Sequence, residues 1–358
     1  MASSGSTEQF PVLMTPSAGT ILATYNCTAR CEHCCFDSHP GIKQRLSLEE
    51  IKSAIDQMCE TGSLRLIVFS GGECFTLGED LDRAVEHAAQ KGLMTRCVTN
   101  GFWAGTPEKA RRRLSDLKLA GLKEINFSTG DFHQRWVPQA NIINGVLAAL
   151  ELELTCLVVI EMQKERRVNT QSFIAEPRIT ELLATERGNQ LRIIESPWMP
   201  MSPQEMIRQN DPYTLSSQNL HLKSGCTSIL GTVVVNPHGQ LGICCGLSRE
   251  MIPELNMDIG PHESITDRCR EASSDFLKIW LRVEGPERIL AWAASKDPTI
   301  EWENRYSHHC HACLALFSDE KVRKVIRLHH QEKIPEVLLK FSLMLRGGKV
   351  NPVFSIYG

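Results

Sequence analysis

The sequence lacks the features that mark a secreted, membrane-spanning or nucleic-acid-binding chain. Its N-terminus, MASSGSTEQFP, has no charged segment leading into an apolar one, and the apolar stretch 147–162 is interrupted by three glutamates. The net charge is -3 and the isoelectric point is near 6.5, so no basic surface for nucleic acid is indicated. We expect a cytoplasmic protein with no transmembrane segment and no nucleic-acid partner.

Cysteine, in contrast, is abundant. The chain has 14 cysteines, four of them in the nine residues CTARCEHCC that begin at Cys27. In a chain without a secretion signal, clustered cysteine favours metal binding over a disulfide framework. One hypothesis is a zinc-stabilised binding protein without enzymatic activity, and the other is an iron-sulfur protein. The spacing of the cysteines and their place in the fold distinguish the two.

The segment 18–205 alternates short apolar runs with longer amphipathic stretches, which predicts six parallel βα units. Such units form an open sheet or a partly closed barrel, with the functional loops at the carboxyl ends of the strands. Residues 1–17 are expected to be a flexible tail, and 206–358 a smaller α+β domain with an insert at 246–309 and a basic helical tail. The predicted strands are Thr20–Tyr25, Leu64–Phe69, Met94–Val98, Glu124–Phe127, Leu154–Ile160 and Leu191–Ile194; the predicted helices lie near 47–60, 77–90, 107–119, 140–151 and 171–185.

Two motifs follow the first two predicted strands. Cys27, Cys31 and Cys34 form a C-x3-C-x2-C triplet, and SGGE ends the second strand at 70–73. Three thiolates from one loop can hold three irons of a four-iron cluster and leave the fourth iron open. The order and placement of both motifs resemble those of the radical S-adenosylmethionine (SAM) superfamily, whose members share a partial (β/α)6 barrel.

The resemblance implies that SAM binds the open iron of a [4Fe-4S] cluster. It also assigns positions to the ligand: Gly71, Gly72 and Glu73 at the amino end of SAM, and Asn100 and Ser128 at its ribose and carboxylate. Asp131 and His133 follow the fourth strand and are candidate catalytic residues, although both are also ordinary loop residues. The fifth strand, LVVIEMQKERR, lacks the glycine-containing adenine motif of the family. The adenine contacts are therefore unassigned.

A second group of cysteines lies in the C-terminal part. Cys226 and Cys244 are spaced C-x12-G-x4-C around a predicted hairpin turn at 236–239, and Cys310 and Cys313 form a C-x2-C pair. Four thiolates hold either zinc or a second [4Fe-4S] cluster. The arrangement resembles the twitch domain, a shortened SPASM domain that binds one auxiliary cluster; no cysteine follows Cys313, so the longer SPASM pattern is incomplete.

The resemblance implies an enzyme that cleaves SAM reductively to a 5'-deoxyadenosyl radical, which takes hydrogen from a substrate C-H bond. We expect a ribosomally made peptide as substrate, modified by oxidation, crosslinking or epimerisation, and an electron donor such as flavodoxin or ferredoxin. The alternative is a dehydrogenase or epimerase of a small polyol or amino sugar. Cys245 and Cys269 are candidate hydrogen-atom donors, and both also fit plain buried cysteines. The helix predicted over 265–285 could cover the mouth of the barrel.

Overall fold

Nine strands form a single sheet in the computed structural model, which describes residues 16–197, 214–247, 251–257 and 263–346. Six parallel neighbours make up the N-terminal part of this sheet, in the order β6-β5-β4-β3-β2-β1. The predicted α/β partial barrel is confirmed. These strands are β1 (Ala18–Thr24), β2 (Leu66–Gly71), β3 (Met94–Thr99), β4 (Glu124–Thr129), β5 (Thr155–Met162) and β6 (Leu191–Pro197).

Helices cross over between these strands and cover the outside of the sheet. The first begins as predicted, because Ser47 and Glu50 form a capping box. The helix predicted at 171–185 is instead two short helices, since Pro177 lacks an N-H and starts a new helix at its own first turn. The helices are α1 (Leu48–Cys59), α2 (Glu79–Gln90), α3 (Pro107–Ala120), α4 (Gln139–Glu151), α5 (Thr170–Ile174) and α6 (Pro177–Leu183).

The C-terminal part continues the same sheet on the other side of β1. Strand β7 (Thr232–Val235) pairs with β1 in parallel, and β8 (Leu241–Gly242) and β9 (Asn256–Met257) follow in antiparallel order. The predicted turn between β7 and β8 is confirmed, because the backbone N-H of Gly239 donates to the carbonyl of Asn236 at 2.9 Å. This pairing brings the second cysteine group to the barrel edge beside the first.

Six further helices complete the C-terminal part. The single helix predicted over 265–285 is two helices, because Asp275 accepts hydrogen bonds from the N-H groups of Leu277 and Lys278 and so starts a second helix. The predicted basic tail is likewise two helices. The six are α7 (Ile265–Ala272), α8 (Phe276–Glu284), α9 (Pro286–Lys296), α10 (His309–Ser318), α11 (Glu320–His329) and α12 (Ile334–Arg346).

Some expectations fall outside the described residues. They are the tail at 1–17, except for its last two residues, and the domain boundary at 205/206. Among the helices that the structure describes, none has the length and apolar character needed to cross a membrane.

Candidate functional site

A cavity of about 320 Å³ opens at the carboxyl ends of the barrel strands. Each of the six parallel strands contributes to its wall, and so do both groups of cysteines. Parallel strands place all their carboxyl ends at one edge, which explains why distant motifs meet here. The strand residues in the wall include Leu22, Ser70, Val98, Ser128, Glu161 and Pro197.

The cysteine loop follows β1 and is closed on itself by backbone hydrogen bonds. The N-H of Leu46 donates to the carbonyl of Ala23 at 2.9 Å, where the loop returns. Cys27, Cys31 and Cys34 all line the cavity. Backbone N-H groups point at two of the sulfurs, at 3.4 Å in each case: Ala29 at Cys27 and Ser38 at Cys34.

The electrostatics of this loop fit a positively charged metal group. Burial raises the pKa of the Cys27 thiol to about 11, and the nearby Glu73 and Cys34 raise it further. Burial and neighbouring thiols also raise the pKa of Cys31. Thiols with raised pKa values lose their protons at neutral pH only when a metal compensates their charge, and N-H groups that point at sulfur are typical of cluster ligands. The residues present therefore fit a cluster held by three cysteines.

The two glycines of the SGGE motif let β2 approach the start of the cysteine loop. Gly71 has φ +122°, and a Cβ there would lie 2.3 Å from the carbonyl oxygen of Thr24. A Cβ on Gly72 would lie 2.3 Å from the carbonyl oxygen of Asn26. Both glycines line the cavity, so the same backbone faces the loop and the ligand space.

Glu73, expected at the amino end of SAM, is buried beside the cavity. Its side chain is 1% exposed and is absent from the cavity wall. One carboxylate oxygen accepts from the N-H of Phe75 at 3.1 Å and from the Thr99 hydroxyl at 2.9 Å, and the other accepts from the N-H of Asn100 at 2.7 Å. Burial raises the pKa of this carboxyl to about 7 despite these donors. The carboxylate joins the ends of β2 and β3 instead of reaching into the cavity.

Asn100 and Ser128 both line the cavity, as the resemblance implies for SAM-binding residues. The side-chain amide of Asn100 donates to the Thr28 hydroxyl at 3.0 Å and lies 3.6 Å from the sulfur of Cys27. Asn100 thus connects the end of β3 to the cysteine loop. Its assignment to SAM remains a prediction.

The two candidate catalytic residues after β4 have different surroundings. Asp131 is absent from the cavity wall; its carboxylate accepts from the N-H groups of Arg167 and Val168 at 2.9 and 3.4 Å and holds the loop after β5. This placement argues against contact with the substrate. His133 does line the cavity, and its Nδ1 lies 2.6 Å from Glu161.

Glu161 is a site residue that the sequence reasoning missed. It ends the apolar run of β5, where the adenine motif of the family is absent, and its Oε2 also lies 3.1 Å from Nε2 of His33 in the cysteine loop. Burial would raise the pKa of Glu161, but the hydrogen bond and charge of His133 and the charge of His33 lower it. Burial and His133 lower the pKa of His33 to about 4. The sequence signal that could have identified this cluster is the charged Glu161 in an otherwise apolar strand.

The four C-terminal cysteines gather beside the barrel mouth. The thiols of Cys226, Cys244, Cys310 and Cys313 interact electrostatically with one another. Burial, together with neighbouring thiols, raises the pKa of Cys244 to about 12 and raises those of Cys310 and Cys313 well above the ordinary value. The N-H of Gly246 points at the sulfur of Cys244 at 3.4 Å. This donor set fits a fully ligated metal group, zinc or cluster.

Cys245 and Cys269, the two candidate hydrogen-atom donors, lie in different surroundings. Cys245 lines the cavity, and its thiol donates to the Ser228 hydroxyl at 3.3 Å. Cys269 lies on α7, where it is 2% exposed, and it does not line the cavity. No residue of α7 or α8 is among those that line the cavity. Cys35, unassigned in the sequence, lines the cavity and interacts electrostatically with Cys34, Cys244 and Cys245. It lies between the two cysteine groups.

The fold is an α/β partial barrel, and the cavity at its strand ends is lined by the cysteine triplet of the β1 loop and by Cys245 and Cys310 of the C-terminal part. Residues 21–146 match the family model of the radical SAM superfamily. This part of the chain is a radical SAM domain, and the protein that carries it is an iron-sulfur enzyme. Such an enzyme uses SAM and a [4Fe-4S] cluster and needs a reductant.

The similarity to known proteins extends beyond that domain. The chain is 26% identical over 308 residues to "Putative peptide biosynthesis protein YydG" of Bacillus subtilis (strain 168), with 83% of this chain and 91% of that protein covered. Among solved structures, BtrN in complex with AdoMet and 2-DOIA matches with a TM-score of 0.44 and 13% identity, over 76% of this chain and 89% of BtrN. The methyltransferase TsrM from Kitasatospora setae matches with a TM-score of 0.36 and 13% identity, over 55% and 43%.

Proposed function

We propose that this radical SAM enzyme epimerises a residue of a ribosomally made peptide. The observation that carries the proposal is the shared cavity, which has the cysteine triplet of the β1 loop in its wall together with the non-ligand thiol of Cys245. The similarity to YydG along nearly all of that protein supports a peptide substrate. A cytoplasmic location with flavodoxin or ferredoxin as electron donor belongs to the same proposal.

In this proposal Cys27, Cys31 and Cys34 hold the cluster that binds SAM. Gly71, Gly72, Asn100 and Ser128 lie in the adjoining wall and position SAM. When bound, the cluster and SAM supply a 5'-deoxyadenosyl radical, which takes a hydrogen atom from the substrate and leaves as 5'-deoxyadenosine.

Cys226, Cys244, Cys310 and Cys313 would hold an auxiliary [4Fe-4S] cluster in a twitch-type domain that covers 206–358. All four are partly buried and interact electrostatically, which suits complete ligation of a cluster. Zinc has the same ligand preference, so metal analysis separates the two. Iron-sulfur clusters are coloured and zinc is not.

Cys245 then supplies the hydrogen atom that completes the epimerisation. Hydrogen is removed from Cα on one face, and the S-H of Cys245 returns a hydrogen atom to the opposite face. The S-H bond breaks and a new C-H bond forms, which leaves a thiyl radical on Cys245. One electron from the external reductant and one proton from solvent restore the thiol. The peptide is neither oxidised nor reduced overall.

The test uses short synthetic peptides made only of L-amino acids, incubated anaerobically with SAM and reductant in D2O. Because the Cys245 thiol exchanges with solvent, the proposal predicts a product one mass unit heavier with a D-amino acid after hydrolysis. The Cys245→Ala variant should still form 5'-deoxyadenosine but give no deuterated D-residue. A product two mass units lighter without deuterium would refute epimerisation in favour of oxidation.

A further inference from the structure

His308 lines the cavity beside Cys245, Gly246 and Cys310 of the C-terminal part. It is the N-cap of α10, where its Nδ1 accepts a hydrogen bond from the backbone N-H of Cys310 at 3.0 Å. A ring nitrogen accepts only through a lone pair, so this imidazole is neutral and carries its proton on Nε2. The helix cap thus leaves His308 with one N-H donor.

The donor of His308 is directed away from α10. The two nitrogens of an imidazole point in different directions, and Nδ1 is held at the helix end. The ring is half-buried, and Nε2 has no hydrogen-bond partner among the described residues. The next residue, His309, differs, because its Nδ1 lies 2.8 Å from Oε2 of Glu287 and it is absent from the cavity wall. Of these two histidines, His308 is the one that offers a donor to the cavity.

The start of α10 packs against the segment that carries Cys245. Gly246 follows Cys245, and a Cβ on Gly246 would lie 2.8 Å from the sulfur of Cys310. Glycine at this position lets the two segments approach each other closely. His308 and Cys245 therefore belong to the same part of the cavity wall, although they lie far apart in the chain.

We propose that the Nε2-H of His308 donates to a main-chain carbonyl oxygen of the peptide substrate and holds the residue to be epimerised against Cys245. The inference rests on the proposed function and deepens it, because it names a substrate-binding residue and the kind of substrate group that this residue binds. It places the modified residue inside the peptide, with an amide group on either side.

The charges in the cavity wall favour an uncharged substrate group. Among the described residues, two side chains with full charges line the cavity, and both have partners. Arg96 lies 2.8 Å from Glu124, and Glu161 lies 2.6 Å from His133. A free carboxylate at His308 would exchange its water for a single neutral donor, which is unfavourable, whereas one N-H satisfies a carbonyl oxygen. An internal residue therefore fits this part of the wall better than a terminal residue or a free amino acid.

The first experiment separates the helix cap from the donor. In His308→Ser the hydroxyl still accepts from the N-H of Cys310, because serine is a good N-cap, but the Nε2-H is gone. His221→Ser is the matched control, since His221 is exposed and absent from the cavity wall. Affinity is measured by fluorescence anisotropy of a labelled synthetic all-L peptide that binds the reconstituted wild-type enzyme. The 5'-deoxyadenosine formed without peptide is measured in parallel.

The proposal predicts a peptide Kd about five- to tenfold higher for His308→Ser than for wild type. The Kd of His221→Ser should be unchanged, and both variants should form 5'-deoxyadenosine without peptide near the wild-type rate. An unchanged Kd in His308→Ser would overturn the proposal. If His308→Ser loses iron on reconstitution, the second experiment decides.

The second experiment needs no variant. The modified residue is located by mass spectrometry, and the peptide is shortened so that this residue is its C-terminus, as the free acid and as the amide. Wild-type enzyme should bind the amide about fivefold or more tightly than the acid, and His308→Ser should reduce this preference. Equal binding of both forms by the wild-type enzyme would overturn the proposal. An oxidised product in place of a deuterated one would refute epimerisation alone, because the two affinity comparisons do not depend on the product.

Discussion

Substitution of Glu73 by Gln tests whether the carboxylate of the SGGE motif is a buried structural group. Burial raises the pKa of Glu73 to about 7 from an ordinary 4.5. Between these two values the folded state holds a proton that the unfolded chain has released. Stability therefore falls as the pH rises through this window. Each pKa unit corresponds to about 1.36 kcal/mol, so the full difference is about 3.4 kcal/mol.

Within an accessible range, the wild-type chain should lose about 2.5 kcal/mol of unfolding free energy between pH 5 and pH 8 because of this group. Glu73→Gln removes this titration. As the pH rises from 5 to 8, the stability of the variant relative to wild type should therefore increase by the same amount. The variant also replaces a carboxyl oxygen that accepts from these buried donors by an amide NH2, which costs about 1 to 3 kcal/mol. That loss shifts the whole curve without changing its slope.

The assay is urea unfolding of the metal-free protein, followed by circular dichroism at four pH values from 5 to 8. Glu284→Gln is the control, because burial raises the pKa of Glu284 but hydrogen bonds and charges from Lys340, Trp280 and Lys333 bring it below the ordinary value. Glu284 is ionised in both folded and unfolded states above pH 5, so this variant should differ from wild type by a constant. Equal pH slopes for Glu73→Gln and wild type would refute the reasoning.

Three further predictions concern the site and its surroundings. Gly71→Ala should lose about 3 kcal/mol or more in urea unfolding, because its Cβ would meet the Thr24 carbonyl at a φ of +122°; wild-type stability would contradict this. Cys269→Ala should cost about 1 to 2 kcal/mol of stability and leave deuterium incorporation into the peptide intact. A loss of deuterium incorporation comparable to that in Cys245→Ala would show that Cys269 takes part in the hydrogen transfer. Asp131→Ala should speed hydrogen exchange at Arg167 and Val168, whose N-H groups it binds, while 5'-deoxyadenosine formation continues; loss of that product would restore Asp131 as a catalytic candidate.

Local sequence decided the elements of the barrel and the identity of the cysteine groups. The six apolar runs became the six parallel strands, because each is a short buried segment followed by a helical period, and that pattern admits few other structures. The cysteine triplet was recognisable because all its members lie within one loop. The turn at 236–239 was likewise predictable from a few adjacent residues.

Long-range packing decided the rest. The pairing of β7 with β1, which brings Cys245 to the cavity wall, joins segments more than 200 residues apart and leaves no local signal. The burial of Glu73 and the meeting of Glu161 with His33 depend on which loops converge at the strand ends. The contact between His309 and Glu287 depends on the angle that Gly285 allows between two helices. Sequence alone thus determined the cofactor chemistry, whereas tertiary structure decided which thiols, acids and imidazoles face it, because those contacts join segments that lie far apart in the chain.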